Sequence, residues 1–140
     1  MTTTRHQARE AALQVLYFCH ISGANPDEAL PAFFEEHLPD ADASLRAFAS
    51  TLVHGAVGDA AALDALIQQH SQHWRLERLA IIDRLILRMG GWELQHEPDV
   101  APAVIIDEAI ELARTYSSEE SVGFVNGVLD AMKKAVGHRP

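Results

Sequence analysis

Apolar residues in this chain return every three or four positions almost from end to end. Nowhere do they alternate with polar ones over the roughly four to eight residues that a half-buried strand requires. That spacing restricts the fold to helices, and prolines, glycines and capping residues divide it into segments. Thr4 followed by Gln7 predicts a capping box, opening a helix to about His20 with Ala8, Ala12, Val15 and Cys19 on one buried stripe. Ser22-Gly23 closes it. Asn25-Pro26-Asp27-Glu28 predicts a second start, with a capping amide, a proline in the first turn and two acids at the positive end of the helix dipole. Pro31 lies close enough to that start to kink or delay the helix, which should stop before Pro39.

Residues 43–71 carry the longest pattern. Leu45, Phe48, Leu52 and Ala56 line one face, and Leu63, Leu66, Ile67 and His70 continue it. Gly55 and Gly58 fall inside, so one long helix and two short ones both fit. A turn near Trp74 leads to a helix over about Glu77–Gln95, with Leu79, Ile82, Leu85, Ile86 and Met89 inward. Pro102 suits the first turn of the next helix, which runs to about Tyr116 and presents Ala103, Ile106, Ile110 and Ala113. Ser117 with Glu120 predicts another capping box, and the last helix carries Val122, Val125, Leu129 and Met132 to about Val136, with Gly137 as terminator. No repeat or linker divides the chain, so residues 1–140 are expected to form a single all-α domain of six or seven helices.

The length suffices for a core without staples, and 48% hydrophobic with 22% charged residues is an ordinary globular balance. Cys19 is the only cysteine, so an internal disulfide is excluded. The first residues lack the apolar run of a signal peptide, and no stretch approaches the ~20 apolar residues of a membrane span, so a cytoplasmic location is expected.

Charge constrains any nucleic-acid function. Eleven Lys and Arg stand against twenty Asp and Glu, a net −9 that repels phosphate at long range. Two stretches are locally basic: Arg5, His6 and Arg9 near the start, and Arg75, Arg78, Arg84 and Arg88 around Glu77 and Asp83. Between Asp27 and Asp64 eight acids face Arg46 alone.

Catalytic and metal chemistry find little support. His70 and His73 are one turn apart but lack the third and fourth ligands a zinc site needs. Cys19 and His20 are adjacent on a helix and diverge by about 100°, which does not make a thiolate–imidazole pair. Gly90-Gly91 and Gly123 with Gly127 lack the strand and lysine of a phosphate loop. No catalytic residue, metal ligand or cofactor site is assigned, and the chain is expected to work by binding.

Four segments in order carry a resemblance. They are Arg9-Glu-Ala-Ala-Leu-Gln-Val-Leu-Tyr17; Asp83-Arg-Leu-Ile-Leu-Arg88 with Trp92-Glu-Leu94; Val104-Ile-Ile-Asp-Glu-Ala-Ile-Glu-Leu-Ala113; and Phe124-Val-Asn-Gly-Val-Leu-Asp130. Together they resemble the transcription antitermination factor family NusB over nearly the whole chain. The resemblance implies two packed helical sub-bundles. It also implies a partner, the ribosomal protein NusE, and a single-stranded boxA-type RNA bound by the heterodimer within the RNA polymerase antitermination complex. By the same resemblance Arg5, His6, Arg9, Gln14 and Phe124 contact RNA, while Tyr17 and Asp83 meet the partner. Asn126 and Gly127 are expected to be structural, the glycine letting helices approach.

The chain departs from the family pattern where it reads Arg5-His6-Gln7-Ala8-Arg9, since a run of arginines is common there. Gly123 stands where a lysine can occur. With −9 overall, intrinsic RNA affinity should be weak, and a basic partner would supply the missing charge. The competing reading is an adaptor that carries the ribosomal protein without touching RNA. Monomer and homodimer both remain open for the free protein.

Overall fold

The computed structural model describes residues 4–71 and 79–136, and among these it has seven α-helices and no strand. In order they are α1 (Thr4–Ser22), α2 (Pro26–His37), α3 (Ala43–Gly58), α4 (Ala60–His70), α5 (Ile81–His96), α6 (Pro102–Tyr116) and α7 (Glu119–Val136). They fall into two compact units, Met1–Gly58 holding α1 to α3 and Asp59–Pro140 holding α4 to α7. Residues 43–71 therefore form two helices. Gly58 closes the first, and Asp59, at φ −103° and ψ 16°, stands outside the helical range before α4 begins.

In the first unit α1 packs on α3 and α2, and α2 on α3. The buried face of α1 is built of small residues, Ala8, Ala11 and Ala12, followed by Val15 and Leu16. Thr4 is already helical and does not cap α1, and the helix continues two residues past His20. Its stop is chemical: Gly23 adopts φ +76° and its N–H reaches the Cys19 carbonyl at 2.9 Å, a left-handed turn that favours glycine. Cys19 itself is half-buried, at the edge of the stripe.

The second helix starts as its sequence predicts, with Asn25 Oδ1 accepting from the Asp27 N–H at 2.8 Å and Pro26 in the first turn. Pro31 is accommodated inside α2. A cap the sequence reading did not anticipate opens α3, where Asp42 Oδ1 accepts from the Leu45 N–H at 2.8 Å. Arg46 donates to the Ala41 and Pro39 carbonyls at 2.9 and 2.8 Å, fixing the turn between α2 and α3.

In the second unit α5 packs against α4, α6 and α7 and buries residues on most of its circumference, from Leu85 to Leu94. Gly90 and Gly91 make that possible. A Cβ on Gly90 would meet Leu129 Cδ1 at 3.0 Å, and one on Gly91 would meet Met132 Cε at 2.5 Å. These glycines are close-approach positions of the unit. Gly127, expected in that role, faces open space instead. Arg88 bridges α4 and α5 through a fork on Asp64, Nε to Oδ1 at 2.7 Å and Nη2 to Oδ2 at 2.6 Å, and Arg84 adds a contact to the same carboxylate at 3.5 Å.

Three further expectations are corrected here. The helix expected from Glu77 begins at Ile81, so Leu79 precedes it, while Trp74, His73, Arg75, Arg78 and the start at Glu77 lie outside the described residues, as does Gly137. In α6 the buried stripe is Ile105, Ile106, Ala109, Leu112 and Ala113. Ala103 is exposed and Ile110 only half-buried, because apolar residues on both flanks leave the 3.6-residue pattern free to rotate. Ser118 rather than Ser117 caps α7, accepting from the Ser121 N–H at 3.2 Å. Ser117 instead ends α6, its N–H bonded to the Ala113 carbonyl. No helix among the described residues is long and apolar enough to cross a membrane.

Candidate nucleic-acid and partner interface

In the first unit, α1 places Arg5 and Arg9 one turn apart, and both guanidinium groups lie over the ring of Phe48 on α3. Their Cζ atoms stand 4.2 and 5.3 Å from its centroid. The two arginines are not equivalent. Arg5 is exposed, whereas Arg9 is 2% exposed and belongs to the core of the unit. Of the two arginines that the resemblance marks for RNA, Arg5 faces solvent and Arg9 lies beneath it. The cause is packing, because Arg9 falls between Ala8 and Ala12 on the buried face of α1, where its long stem fills space beside small neighbours. His6, half-buried, sits 3.7 Å from Glu10, so a charge it gained would have a carboxylate at hand. Gln14 is exposed one turn further along α1.

Arg5 is singled out by its partners. Among the described residues Arg84 and Arg88 engage Asp64, Arg114 engages Glu111 and Glu119, Lys133 and Lys134 engage Asp130, and Arg46 is held by carbonyls. Arg5 has the Phe48 ring and, among the described residues, no carboxylate. A cation over an aromatic face keeps its N–H donors for a further acceptor, which suits a phosphate.

Further along α1 the same helix turns apolar toward solvent. Tyr17, Phe18 and Ile21 are 41, 56 and 60% exposed. Phe18 borders a cleft of about 240 Å³ between α1 and α2, with Gln14, Ala32, Phe33 and Glu36 around it. Tyr17 was singled out in the sequence. Phe18 and Ile21 were missed, although apolar residues off the Ala8–Ala12–Val15 stripe were the available signal.

In the second unit, Asp83 and Phe124 line one cleft of about 440 Å³ together with Leu79, Ser118, Glu120 and Ser121. Asp83 is 7% exposed. Its Oδ2 accepts from Ser121 Oγ at 2.7 Å, and its Oδ1 is shut from solvent with no donor among the described residues. Ser118 Oγ donates to Ser121 Oγ at 3.1 Å, so a chain of hydroxyls joins the cap of α7 to the first turn of α5. Phe124 is half-buried, Glu120 exposed, and Gly123 beside it open to solvent. Neither Arg84 nor Arg88 turns to Asp83, since both are committed to Asp64.

No group of three or more His, Cys, Asp or Glu side chains among the described residues is placed to hold a metal ion. Burial pushes the Cys19 thiol up from its ordinary value, which disfavours the thiolate.

Seven helices, an exposed cation laid over an aromatic ring and an apolar strip on the same helix define an all-α protein whose distinctive groups face outward. The chain belongs to the NusB family: the family model matches residues 6–134, across both units. It is 46% identical over 133 residues to the transcription antitermination protein NusB of Sorangium cellulosum, covering 95% of this chain and 94% of that one. The namesake of Myxococcus xanthus is 41% identical over 136 residues, covering 94% and 96%. Among solved structures, NusB of T. maritima superposes with a TM-score of 0.87 at 32% identity, covering 100% of this chain and 96% of that one. A crystal structure of the antitermination factors NusB and NusE in complex with double-stranded RNA gives 0.86 at 32% identity, covering 96% and 99%.

Proposed function

We propose that this protein is a non-enzymatic RNA-binding subunit of a transcription antitermination complex in the cytoplasm. It docks the ribosomal protein NusE and, as that heterodimer, holds a boxA-type single-stranded RNA for RNA polymerase. The observation that carries the reading is Arg5, exposed over Phe48 without a carboxylate partner among the described residues, on the first helix of a chain that belongs to the NusB family. The structure of NusB and NusE with RNA, which this fold resembles, supports both kinds of partner. Arg5 supplies the phosphate contact and the Gln14 amide a hydrogen-bonding edge. Phe124 offers a ring against which a splayed base can stack. His6 adds charge only to the extent that Glu10 does not neutralise it.

Tyr17, with Phe18 and Ile21 beside it, gives the ribosomal protein an apolar anchor carrying one hydroxyl. Asp83, which the family resemblance also marks for the ribosomal protein, lines a cleft of the second unit with exposed Glu120 and holds Ser121 in place. A homodimer of the free protein, were it to close over the same apolar strip, would compete with partner binding.

One observation favours the adaptor reading. With Arg9 buried, a single arginine faces solvent on α1, against a net charge of −9. The test is a titration of boxA-type RNA with this protein, with NusE, and with both, at two salt concentrations. The heterodimer reading expects the pair to bind more tightly than NusE alone, with a steeper salt dependence. Binding by NusE that this protein leaves unchanged would establish the adaptor instead. Tyr17→Asp should weaken NusE docking at least tenfold, since an unpaired charge in an apolar contact costs ~2–5 kcal/mol, and should carry most of the RNA affinity away with it.

A further inference from the structure

Phe48 is not among the residues that the family resemblance marks for RNA or partner contact, and its spacing with Leu45, Leu52 and Ala56 marks it as core. The structure places it elsewhere. It is half-buried, while Leu45, Leu52 and Ala56 are buried beside it on α3. Over its ring lie the two charged arginine heads of α1, Arg5 at 4.2 Å and Arg9 at 5.3 Å.

We propose that Phe48 is a positioning residue for RNA binding, an aromatic platform that holds the Arg5 guanidinium at the surface in the orientation a phosphate requires. The inference rests on the assignment of Arg5 to RNA made above.

Three physical points carry it. An exposed arginine on the first turns of a helix has several rotatable bonds and little to fix it, and ordering such a side chain on binding is costly. A ring face removes part of that cost beforehand without consuming a hydrogen-bond donor, which a carboxylate would do. Buried Arg9 lies over the same ring, so the space beneath Arg5 is already filled and Arg5 has no room to fold inward. Arg9 is thereby part of the platform. The arrangement also accounts for how a chain with few arginines in this stretch can hold a defined phosphate site: one cation held in place substitutes for several that sample many positions.

The experiment compares wild type, Phe48→Leu, Phe48→Trp, Arg5→Ala and the double variant Arg5→Ala/Phe48→Leu, each with NusE and a boxA-type single-stranded RNA over a range of salt. Phe48→Leu should weaken RNA binding about two- to fivefold, the scale of an exposed cation–ring contact. It should also lower the log–log salt slope toward that of Arg5→Ala, a loss of up to ~0.7 for one phosphate on a single strand. Phe48→Trp should restore both. The double variant should bind no worse than Arg5→Ala, because the platform has nothing left to hold. Docking of NusE, which a general loss of structure would impair, should be the same in all five.

Without RNA, the Arg5 side-chain protons of wild type should show an upfield ring-current shift that Phe48→Leu abolishes; should the leucine variant fail to fold, Phe48→Trp should enlarge that upfield shift, and an unchanged shift would overturn the contact. Loss of RNA affinity in Arg5→Ala but not in Phe48→Leu would overturn the platform while leaving the function intact. So would additive losses in the double variant. Unchanged binding by Arg5→Ala would overturn the assignment of Arg5, and the platform with it.

Discussion

The two units use their cations in different ways. In Met1–Gly58 the arginines lie over rings: Arg5 and Arg9 over Phe48, and Arg46 over Phe34 at 5.1 Å. In Asp59–Pro140 the described cations are paired with carboxylates: Arg84 and Arg88 with Asp64, Arg114 with Glu111 and Glu119, Lys133 and Lys134 with Asp130. A carboxylate cancels the charge it binds, whereas an aromatic face holds the cation and leaves its field standing. The second unit therefore commits its positive charge to its own carboxylates, between helices at Asp64 and Glu119 and within α7 at Asp130. The first keeps a charge available for a ligand, and a strongly acidic chain can present a basic point at the start of α1.

The comparison breaks most visibly at Asp64. Asp64→Ala leaves Arg88 and Arg84, which are 15 and 24% exposed, without their shared anion inside a helix contact. Removing one partner of a buried pair typically costs ~3–5 kcal/mol. The partial exposure here reduces that to about 2–3 kcal/mol. Denaturant unfolding should register the loss as a lower midpoint, while RNA affinity of the folded protein with NusE stays as in wild type. A variant as stable as wild type would show that the fork contributes nothing to holding α4 on α5.

Arg5→Ala should do the reverse. The side chain is exposed and lies over the Phe48 ring, so unfolding should shift by no more than about 0.5 kcal/mol. RNA binding should weaken and its salt slope fall by roughly 0.7. Parallel losses of stability and affinity would erase the distinction between the two units.

How much of this was legible in advance follows from what each signal encodes. Helix existence and most of the boundaries were open to reading, because Asn25-Pro26, Gly23 and Pro102 act through local backbone chemistry that needs no tertiary partner. The break at Asp59 stayed undecided, since Gly58 allows both outcomes and only packing selects one. Arg9 illustrates the opposite failure. An arginine reads as surface, but its place between Ala8 and Ala12 buries it, and the hydrophobic pattern gives charged residues no weight. Asp83 was read as free to meet a partner, and its bond to Ser121 could not be seen across 38 residues of sequence. The glycines failed symmetrically. Gly90-Gly91 and Gly127 look alike in sequence, and only the side chains opposite them, Leu129 and Met132, distinguish a tight crossing from open space.

A smaller effect is expected where a carboxylate pairing is exposed. Arg114 reaches Glu111 and Glu119 at 2.6 and 3.2 Å, tying the end of α6 to the start of α7, but its side chain is 45% exposed. Arg114→Ala should cost no more than about 0.5 kcal/mol, falling toward nothing in high salt. A salt-resistant loss well above that would mean that the α6–α7 turn depends on this residue in the way that α4 and α5 depend on Asp64.

The smallest effect, and the finest test of the contrast, is at Asp130. Hydrogen bonds from Lys133 and Lys134 hold its carboxyl below the usual carboxylate range. The sign follows from proton binding. With the folded pKa lowered, the unfolded chain takes up a proton first as pH falls, so the contribution is present at neutral pH. It disappears as pH drops from about 4, the ordinary aspartate value, through the lower folded one. Asp130→Asn should therefore leave RNA binding untouched and flatten stability against pH only below about 4, in a salt-sensitive way because the group is exposed. A change in RNA affinity at neutral pH would be the informative surprise. It would mean that freeing Lys133 and Lys134 from their carboxylate creates a second uncompensated basic point, and that charge pairing in the second unit restrains nucleic-acid binding as well as joining helices.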